Sequence, residues 1–429
     1  MNIHPSHIAD IKLADEGREL TEWARRSMPV LESIRVRFER ERPLAGRVIG
    51  ACLHITAETS NLIETLRAGG AKVFLCASNP ISTQDPVTAY LSSQGVHVYA
   101  IHGEDLKTYE SHCHMVLDAQ PHVVIDDGGD LTKLLHSDYA SAAANIVGGL
   151  EETTTGVIRV KNLERMGGLK YPIIAINDSK TKHMFDNRYG TGQSTVDAVL
   201  RATNMLLAGK KFVVAGFGMC GRGVAMRAAG MGADVIVTEI DPVRALEAVM
   251  EGFRVMPMDQ AAPLGDVFVT VTGNKAVIDD RHFASMKDNV VLANAGHFDC
   301  EIDLVRLRAL SSGTRKIRSD IEQFTLASGR RISVLAEGRL VNLCAAEGHP
   351  AEVMDMSFSN QALGCEYLLK HPNLPISVLD MPAEVDTMIA SMKLASRSIE
   401  IDVLTPEQRS YLDAWEEGTK KDLEVESVA

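Results

Sequence analysis

The sequence has few of the features that mark membrane, secreted or nucleic-acid-binding proteins. No apolar run reaches about 18 residues, and the N-terminus has no positively charged segment followed by an apolar one. The seven cysteines include no CxxC pair, which is typical of unpaired thiols in a reducing compartment. A net charge of −13 argues against nucleic acid or an anionic membrane as a partner. We therefore expect a cytoplasmic protein that binds neither nucleic acid nor membrane, and we assign no metal ligands.

The composition is otherwise that of an ordinary globular protein, with 45% hydrophobic and 24% charged residues and no repeats or low-complexity segments. A chain of 429 residues is too long to form one compact core. We expect two domains.

Residues 211–241 (KFVVAGFGMCGRGVAMRAAGMGADVIVTEID) form the clearest motif in the chain. An apolar run leads into Gly216, Gly218 and Gly221, a helical pattern follows, and a second apolar run ends at Glu239. This order is typical of a dinucleotide-binding unit, in which glycines let the backbone approach a pyrophosphate at a helix N-terminus. The Glu239 carboxylate can accept hydrogen bonds from both ribose hydroxyls and repel a 2′-phosphate, which favours NAD over NADP.

Residues 8–41 have the spacing of two helices, and strand-like and helix-like stretches alternate over residues 46–180. Further strand-like stretches follow the glycine motif, at residues 266–274, 290–299 and 330–343. Alternation of this kind predicts α/β architecture with parallel sheets.

Polar side chains recur where the predicted strands end. They include His54, the segments 79–85 and 126–130, Asn294, His297 and Asn342. Because ligands of open α/β sheets bind at the carboxyl ends of strands, these positions suggest one shared crevice.

Several polar residues of the predicted α/β units can also be explained by local structure alone, without a role in binding or catalysis. Thr56 can cap a helix whose first turn holds Glu58, where a carboxylate complements the helix dipole. Lys182 and Asp186 are four residues apart and could be a surface ion pair on one helix face. A histidine after a strand, such as His297, is more often a loop residue than a catalytic one.

A series of segments, in order between about residue 8 and residue 410, resembles the S-adenosyl-L-homocysteine hydrolase family. The segments are LHITAETSNLIETL, NPISTQD, DDGGDLT, EETTTGV, INDSKTKHMFDNRYG, VAGFGMCGRG, VTEIDP, NAGHFD, and LAEGRLVNL followed by GHP. The resemblance implies two Rossmann-like, doubly wound parallel-sheet domains joined by a hinge, with the NAD domain inserted into the substrate domain. It also implies a homotetramer.

The implied domain boundaries place a first part of the substrate domain at residues 1–185 and the NAD domain at 186–348. A return segment of the substrate domain follows at 349–380, and a C-terminal oligomerisation segment with an acidic tail at 381–429.

The resemblance further implies the reaction. Direct hydrolysis of the C5′–S thioether bond is difficult because neither the carbon nor the leaving group is activated. In the family, NAD oxidises the ribose 3′-hydroxyl to a ketone, which acidifies the C4′ proton. A base removes that proton, homocysteine leaves, water adds to the enone, and the hydride returns.

Site residues follow from the resemblance position by position. The implied catalytic residues are His54, Asp130 as the base near C4′, Lys182 and Asp186 at the 3′-hydroxyl, and His297. The implied substrate contacts are Thr56, Glu58, Gln84, Glu152, Glu347 and His349. The implied NAD contacts are Thr153, Thr154, Thr155, Asn187, Gly216, Gly218, Gly221, Glu239, Asn274 and Asn342.

The sequence departs from the family pattern at three places. Thr191 replaces a cysteine near the nicotinamide, and Glu347 replaces a methionine near the adenine. The end of the chain lacks the Lys…Tyr tail of long-form members, which resembles the short form of archaea and some bacteria and implies weaker retention of NAD.

We therefore expect a reversible S-adenosyl-L-homocysteine hydrolase. The nearest alternative is a hydrolase that prefers S-inosyl-L-homocysteine by the same mechanism. A catalytically silent NAD-binding homologue would have lost members of the catalytic set, and none is lost. A 2-hydroxyacid dehydrogenase would have to release its reduced cofactor.

Overall fold

The computed structural model describes residues 3–415 and contains two α/β sheets, one in each half of the molecule. The strands are β1 (Val48–Cys52), β2 (Lys72–Cys76), β3 (His97–Tyr99), β4 (Val123–Asp126), β5 (Gly148–Glu151), β6 (Ile173–Ala175), β7 (Lys211–Ala215), β8 (Asp234–Thr238), β9 (Arg254–Val255), β10 (Val267–Thr270), β11 (Val290–Asn294), β12 (Ser311–Arg318), β13 (Ile321–Leu326), β14 (Arg331–Leu335) and β15 (Val378–Leu379).

Helices connect the strands and cover both sheets. They are α1 (Ala14–Arg25), α2 (Pro29–Glu41), α3 (Ala57–Ala68), α4 (Asp85–Ser93), α5 (Leu106–Asp118), α6 (Asp130–Leu135), α7 (Thr154–Arg165), α8 (Lys180–His183), α9 (Thr191–Thr203), α10 (Met219–Gly230), α11 (Pro242–Met250), α12 (Met258–Ala261), α13 (Asp280–Phe283), α14 (Leu304–Leu310), α15 (Val341–Cys344), α16 (Ala351–Lys370), α17 (Ala383–Ser396) and α18 (Pro406–Asp413). None of the helices within residues 3–415 is long and apolar enough to cross a membrane.

The first sheet has seven strands in the order β15-β6-β5-β4-β1-β2-β3, and every neighbouring pair is parallel. Its edge strand β15 comes from the part of the chain that follows the second sheet. Helix α16 precedes β15 and packs its apolar side chains into the same core as α2 and α3. The chain therefore leaves the first half of the molecule, builds the second sheet, and returns.

The second sheet has eight strands in the order β12-β13-β14-β11-β10-β7-β8-β9. Strands β14 to β9 in this order are parallel, whereas β12, β13 and β14 pair antiparallel at one edge. The parallel α/β class is confirmed, but the antiparallel edge was not expected. Strand β12 is exposed along almost its whole length, so its sequence has no apolar alternation that would predict a strand.

The strand-like stretch 330–343 is shorter in the structure than the sequence suggests. Strand β14 stops at Leu335, and the chain then turns through Glu337 and Gly338, both of which have positive φ angles. Helix α15 follows and carries Asn342. The Asn342 side-chain amide donates a 3.2 Å hydrogen bond to the Ser194 hydroxyl of α9.

The glycine motif forms the predicted strand–turn–helix–strand unit from β7 through α10 to β8. Gly216 has φ +103°, a conformation that favours glycine. A Cβ atom at Gly221 would overlap the carbonyl oxygen of Gly216, so α10 can pack against the turn only with glycine there. The sequence requirement for both glycines is therefore steric.

Candidate active site

A cavity of about 1200 Å³ lies where the carboxyl ends of the two sheets face each other. Residues from the first sheet and its connections line one side, including His54, Glu152 and Lys182. Residues from the second sheet line the other, including Glu239 and His297. The crevice predicted from the polar strand ends is thus one continuous space between the two halves of the molecule.

Lys182 lies at the centre of a buried polar cluster in this cavity. Its Nζ atom is 2.9 Å from Asp186 Oδ2 and 3.5 Å from Glu152 Oε1, and it donates a hydrogen bond of 2.7 Å to Asn187 Oδ1. Burial alone would lower the pKa of Lys182, but the two carboxylates outweigh it and raise that pKa above its usual value. Lys182 is therefore an ammonium group with fixed acceptors, not an exposed member of a surface pair.

The helical turn Asp186–Gly190, which follows α8, brings Asp186 and Asn187 back onto Lys182. Burial would raise the pKa of Asp186, but the charges of Lys182 and His349 outweigh burial and lower it. His349 Nδ1 contacts Asp186 Oδ1, and its Nε2 atom is 3.3 Å from the Thr191 hydroxyl. Asp186 thus joins the cluster to the segment that returns from the second sheet.

Helix α16 supports the same cluster from behind. The Ser357 hydroxyl donates a 2.7 Å hydrogen bond to Glu152 Oε1, and Gln361 Nε2 donates to Glu152 Oε2. Burial raises the pKa of Glu152, and the charge of Lys182 opposes that shift. No sequence signal marks Ser357 and Gln361, because they lie more than 200 residues from Glu152 along the chain.

A second cluster joins two histidines through one carboxylate. His54 Nε2 is 3.4 Å from Asp127 Oδ2, and His297 Nδ1 is 3.6 Å from Asp127 Oδ1. Burial lowers the pKa of His54 to about 3 and that of His297 to about 4. Both imidazoles are therefore neutral near pH 7, with a carboxylate placed between them.

Asp130, the expected base, is not among the residues that line the cavity. Its Oδ2 atom accepts a 2.7 Å hydrogen bond from Tyr109, and its Oδ1 atom is 3.7 Å from the Arg159 guanidinium. The chain turns through Gly128 and Gly129 at positive φ, so Asp130 starts α6 on the far side of the turn. Asp127 lines the cavity instead. It is the first residue after β4, and this position at a strand end is the sequence signal that could have identified it.

The second half of the cavity has the features of a dinucleotide site. Glu239 accepts hydrogen bonds from the backbone N–H groups of Phe217 and Ile240, both 2.7 Å, so its carboxylate is fixed beside the glycine turn. The other expected contacts that line this part of the cavity are Thr153, Thr154, Thr155, Asn187, Gly216, Gly218, Asn274 and Asn342. Gly221 lies beneath the turn and acts through packing.

The Thr155 hydroxyl and Asn342 Oδ1 are among the polar atoms at this site that are buried without a hydrogen-bond partner. A buried polar atom without a partner is costly, and both can bond a ligand with donors and acceptors of its own. Glu301, which is also buried, accepts from the backbone N–H groups of Thr272 and Gly273 and holds the loop that carries Asn274. The residues present fit a bound dinucleotide.

The expected base-binding residues divide into two groups. Thr56 lines the cavity and caps α3, and His349 also lines it. Glu58, Gln84 and Glu347 are not among the described lining residues. Burial raises the pKa of Glu58. Glu347 is different, since its side chain is 73% exposed and pairs with Arg201 at 3.1 Å.

Gln84 has a local role at the start of α4. Its Oε1 atom accepts a 3.1 Å hydrogen bond from the Ala57 N–H group, so it joins the N-termini of α3 and α4.

A dinucleotide site and two buried acid–base clusters that face one cavity define a two-domain, dinucleotide-dependent enzyme. The family model for the S-adenosyl-L-homocysteine hydrolase NAD binding domain matches residues 187–348, and the model for S-adenosyl-L-homocysteine hydrolase matches residues 5–143. The chain belongs to the S-adenosyl-L-homocysteine hydrolase family. Its cofactor is NAD, and it is an NAD-dependent hydrolase.

Curated relatives match over nearly their whole length. An adenosylhomocysteinase of Aquifex aeolicus (strain VF5) is 58% identical over 414 residues, which cover 96% of this chain and 99% of the relative. One from Thermosynechococcus vestitus is 56% identical over 414 residues, 96% of each chain. An S-inosyl-L-homocysteine hydrolase of Methanocaldococcus jannaschii is 53% identical over 413 residues, 96% of this chain and 99% of the relative.

Proposed function

We propose that the protein catalyses the reversible hydrolysis of S-adenosyl-L-homocysteine to adenosine and L-homocysteine. The observation that carries this proposal is the pairing of two clusters across one cavity. Lys182, Asp186 and Glu152 form the first, and His54, Asp127 and His297 form the second. NAD, when bound, supplies a reversible two-electron oxidation at the ribose 3′ carbon.

The first cluster handles the ribose 3′-hydroxyl. The Lys182 ammonium donates to the 3′ oxygen, and Asp186 accepts from the ribose hydroxyls. Glu152 contacts Lys182, whose charge favours the carboxylate form, and that carboxylate can take up the proton that leaves the 3′-hydroxyl. Ser357 and Gln361 hold Glu152 in place for this transfer.

The second cluster handles the C4′ proton and the sulfur. We assign the role of C4′ base to Asp127 and not to Asp130, because Asp127 lies in the cavity and Asp130 does not. A proton taken by Asp127 can pass to His54 or His297 across 3.4 Å or 3.6 Å and then to the departing sulfur. The imidazole that is left neutral activates the water that adds at C5′.

The residues expected near the base of the substrate favour adenine over hypoxanthine. Glu58 does not itself line the cavity but lies in the first turn of α3, whose cap Thr56 does; a carboxylate that reached the base from there would accept from the 6-amino group of adenine, whereas it would face the 6-oxo group of hypoxanthine acceptor to acceptor. The Glu347 side chain is 73% exposed and pairs with Arg201 at 3.1 Å, and it does not line the cavity, although its charge adds to the effect of burial in raising the pKa of Glu58. S-Inosyl-L-homocysteine is therefore the poorer substrate.

Purified protein assayed with both thioethers, in both directions, tests the proposal. We expect turnover of S-adenosyl-L-homocysteine at a kcat/KM at least about tenfold above that of the inosyl compound, or about 1.4 kcal/mol. No turnover of either compound by protein that contains NAD would refute the function. Equal turnover of both would refute only the choice of base.

We further propose the domain division 1–185, 186–348, 349–380 and 381–429, with a hinge between the halves and assembly into a cytoplasmic homotetramer. The first sheet uses strands from residues 48–175 and 378–379, which supports the inserted arrangement. The C-terminal segment exposes Val403, Leu412 and Trp415 by 81%, 67% and 90%, which suits an oligomer contact. Residues 416–429, which include the expected acidic tail, lie outside the described residues. A monomer mass in light scattering would refute the assembly.

A further inference from the structure

One arginine bridges the two halves of the molecule beside the His54–Asp127–His297 cluster. Arg159 lies on α7, which follows the first sheet's strand β5. Its guanidinium carbon is 4.2 Å from the centroid of the Phe298 ring, which belongs to the loop after β11 of the second sheet. The same guanidinium donates a 2.8 Å hydrogen bond to the carbonyl oxygen of Gly128.

Gly128 is held from both sides. Its N–H group donates a 2.9 Å hydrogen bond to Glu151 Oε1, and its carbonyl accepts from Arg159. Glu151 Oε1 also accepts from the N–H group of Thr153, so the loop after β4 is tied to the start of α7. Asp127, the residue before Gly128, therefore has a fixed backbone.

His297 packs directly on that backbone. A Cβ atom at Gly128 would overlap the His297 ring, so the two residues are in contact only because residue 128 is glycine. The His297 and Phe298 rings meet edge to face, with centroids 4.6 Å apart and an interplanar angle of 89°. The Phe298 ring therefore contacts both the Arg159 guanidinium and the His297 imidazole.

We propose that Arg159 is a positioning residue that holds the His297–Phe298 segment of the second half against the Asp127–Gly128 loop of the first. It thereby sets the distance between His297 and Asp127. The inference rests on the proposed function, because it concerns the transfer of a proton within that cluster. Only the planar guanidinium can stack on Phe298 and donate to Gly128 in one geometry.

The Arg159 charge also acts on His297 directly. The groups that face His297 are Asp127, His54 and Arg159; Asp127 raises the pKa of His297, whereas burial and the other two lower it. Removal of the Arg159 charge should therefore raise the pKa of His297 and move the acid limb of the kcat/KM profile to higher pH.

The test compares Arg159→Gln, Arg159→Lys and Phe298→Leu in the NAD-loaded enzyme. Because cation–π and charged hydrogen-bond contacts are modest, we expect Arg159→Gln to lower kcat about tenfold, or about 1.4 kcal/mol, with KM nearly unchanged. The acid limb of the Arg159→Gln profile should shift upward by a fraction of a pH unit.

Arg159→Lys keeps the charge, so the acid limb of its profile should stay at the wild-type pH while its kcat remains low. Phe298→Leu should also lower kcat, and the double variant should lose less than the product of the two single losses.

Arg308→Gln is the matched control, since Arg308 lies over Phe324 at 5.3 Å in the second sheet, away from the cavity. It should keep the wild-type kcat and pH profile. Wild-type kcat and profile in Arg159→Gln would overturn the inference, as would losses in the double variant that multiply fully. A loss explained entirely by a lower unfolding temperature would also overturn it. An inactive wild type would instead refute the proposed function.

Discussion

The assignment of the C4′ base can be tested with two matched substitutions, Asp127→Asn and Asp130→Asn. Each replaces a carboxylate by an amide of nearly the same size. Asp127 is 9% exposed and lies between two imidazoles at 3.4 Å and 3.6 Å. Asp130 is 28% exposed and contacts Tyr109 and Arg159 outside the cavity.

The structure predicts very different losses for the two variants. General acid–base groups typically accelerate a reaction about 10²–10⁴-fold. Asp127→Asn should therefore lower kcat by that factor, which corresponds to a barrier higher by about 3–5 kcal/mol. An asparagine at position 130 can still accept from Tyr109 through its amide oxygen. This variant loses only a partly exposed ion pair with Arg159, which is worth at most about 1 kcal/mol, so its kcat should fall by no more than roughly fivefold.

Three measurements on each variant separate the steps: overall turnover, the absorbance of reduced NAD after substrate is added, and exchange of the C4′ proton with solvent deuterium. Asp127→Asn should still reduce NAD while exchange and elimination are slow. A larger loss in Asp130→Asn than in Asp127→Asn would refute the assignment, and so would an Asp127→Asn variant within tenfold of wild type.

Three further outcomes are expected. Lys182→Ala should abolish the absorbance of reduced NAD on substrate addition, because the 3′ oxygen loses its charged donor; undiminished absorbance would contradict this role. Glu239→Ala should weaken NAD binding in calorimetry by a few kcal/mol at most, since charged hydrogen bonds contribute about 1.5–3 kcal/mol each; NADP in the purified wild-type protein would argue against it. Glu58→Gln, whose amide can also donate, should narrow the preference for adenosyl over inosyl substrate, and an unchanged ratio would remove Glu58 from base recognition.

Several parts of the fold could be predicted because they depend on neighbours in the chain. The glycine motif is one, since the contact of Gly221 with the Gly216 carbonyl is local and excludes any side chain. The Thr56 cap of α3 is another. The antiparallel edge could not be predicted, because β12 is exposed and has no apolar period.

The candidate site was predictable to the level of segments but not of every atom. The three acidic residues of the segment 126–130 lie at or just after the end of the same strand, and their spacing does not distinguish them. The positive φ angles of Gly128 and Gly129 turn Asp130 away and leave Asp127 in the cavity. Nor could the sequence show that Glu347 pairs with Arg201, 146 residues away, and does not line the cavity.

By itself the sequence determined the two α/β units, the dinucleotide turn and the strand ends that carry polar residues. These features depend on the steric limits of the backbone and on the period of apolar side chains, and both are set by residues close together in the chain. Only the tertiary structure decided which of those polar groups meet. Ser357 and Gln361 reach Glu152 because α16 returns to the first sheet, and Arg159 meets Phe298 because two separate sheets face each other. Such contacts depend on how distant segments pack, and no local pattern in a single chain encodes the distance between them.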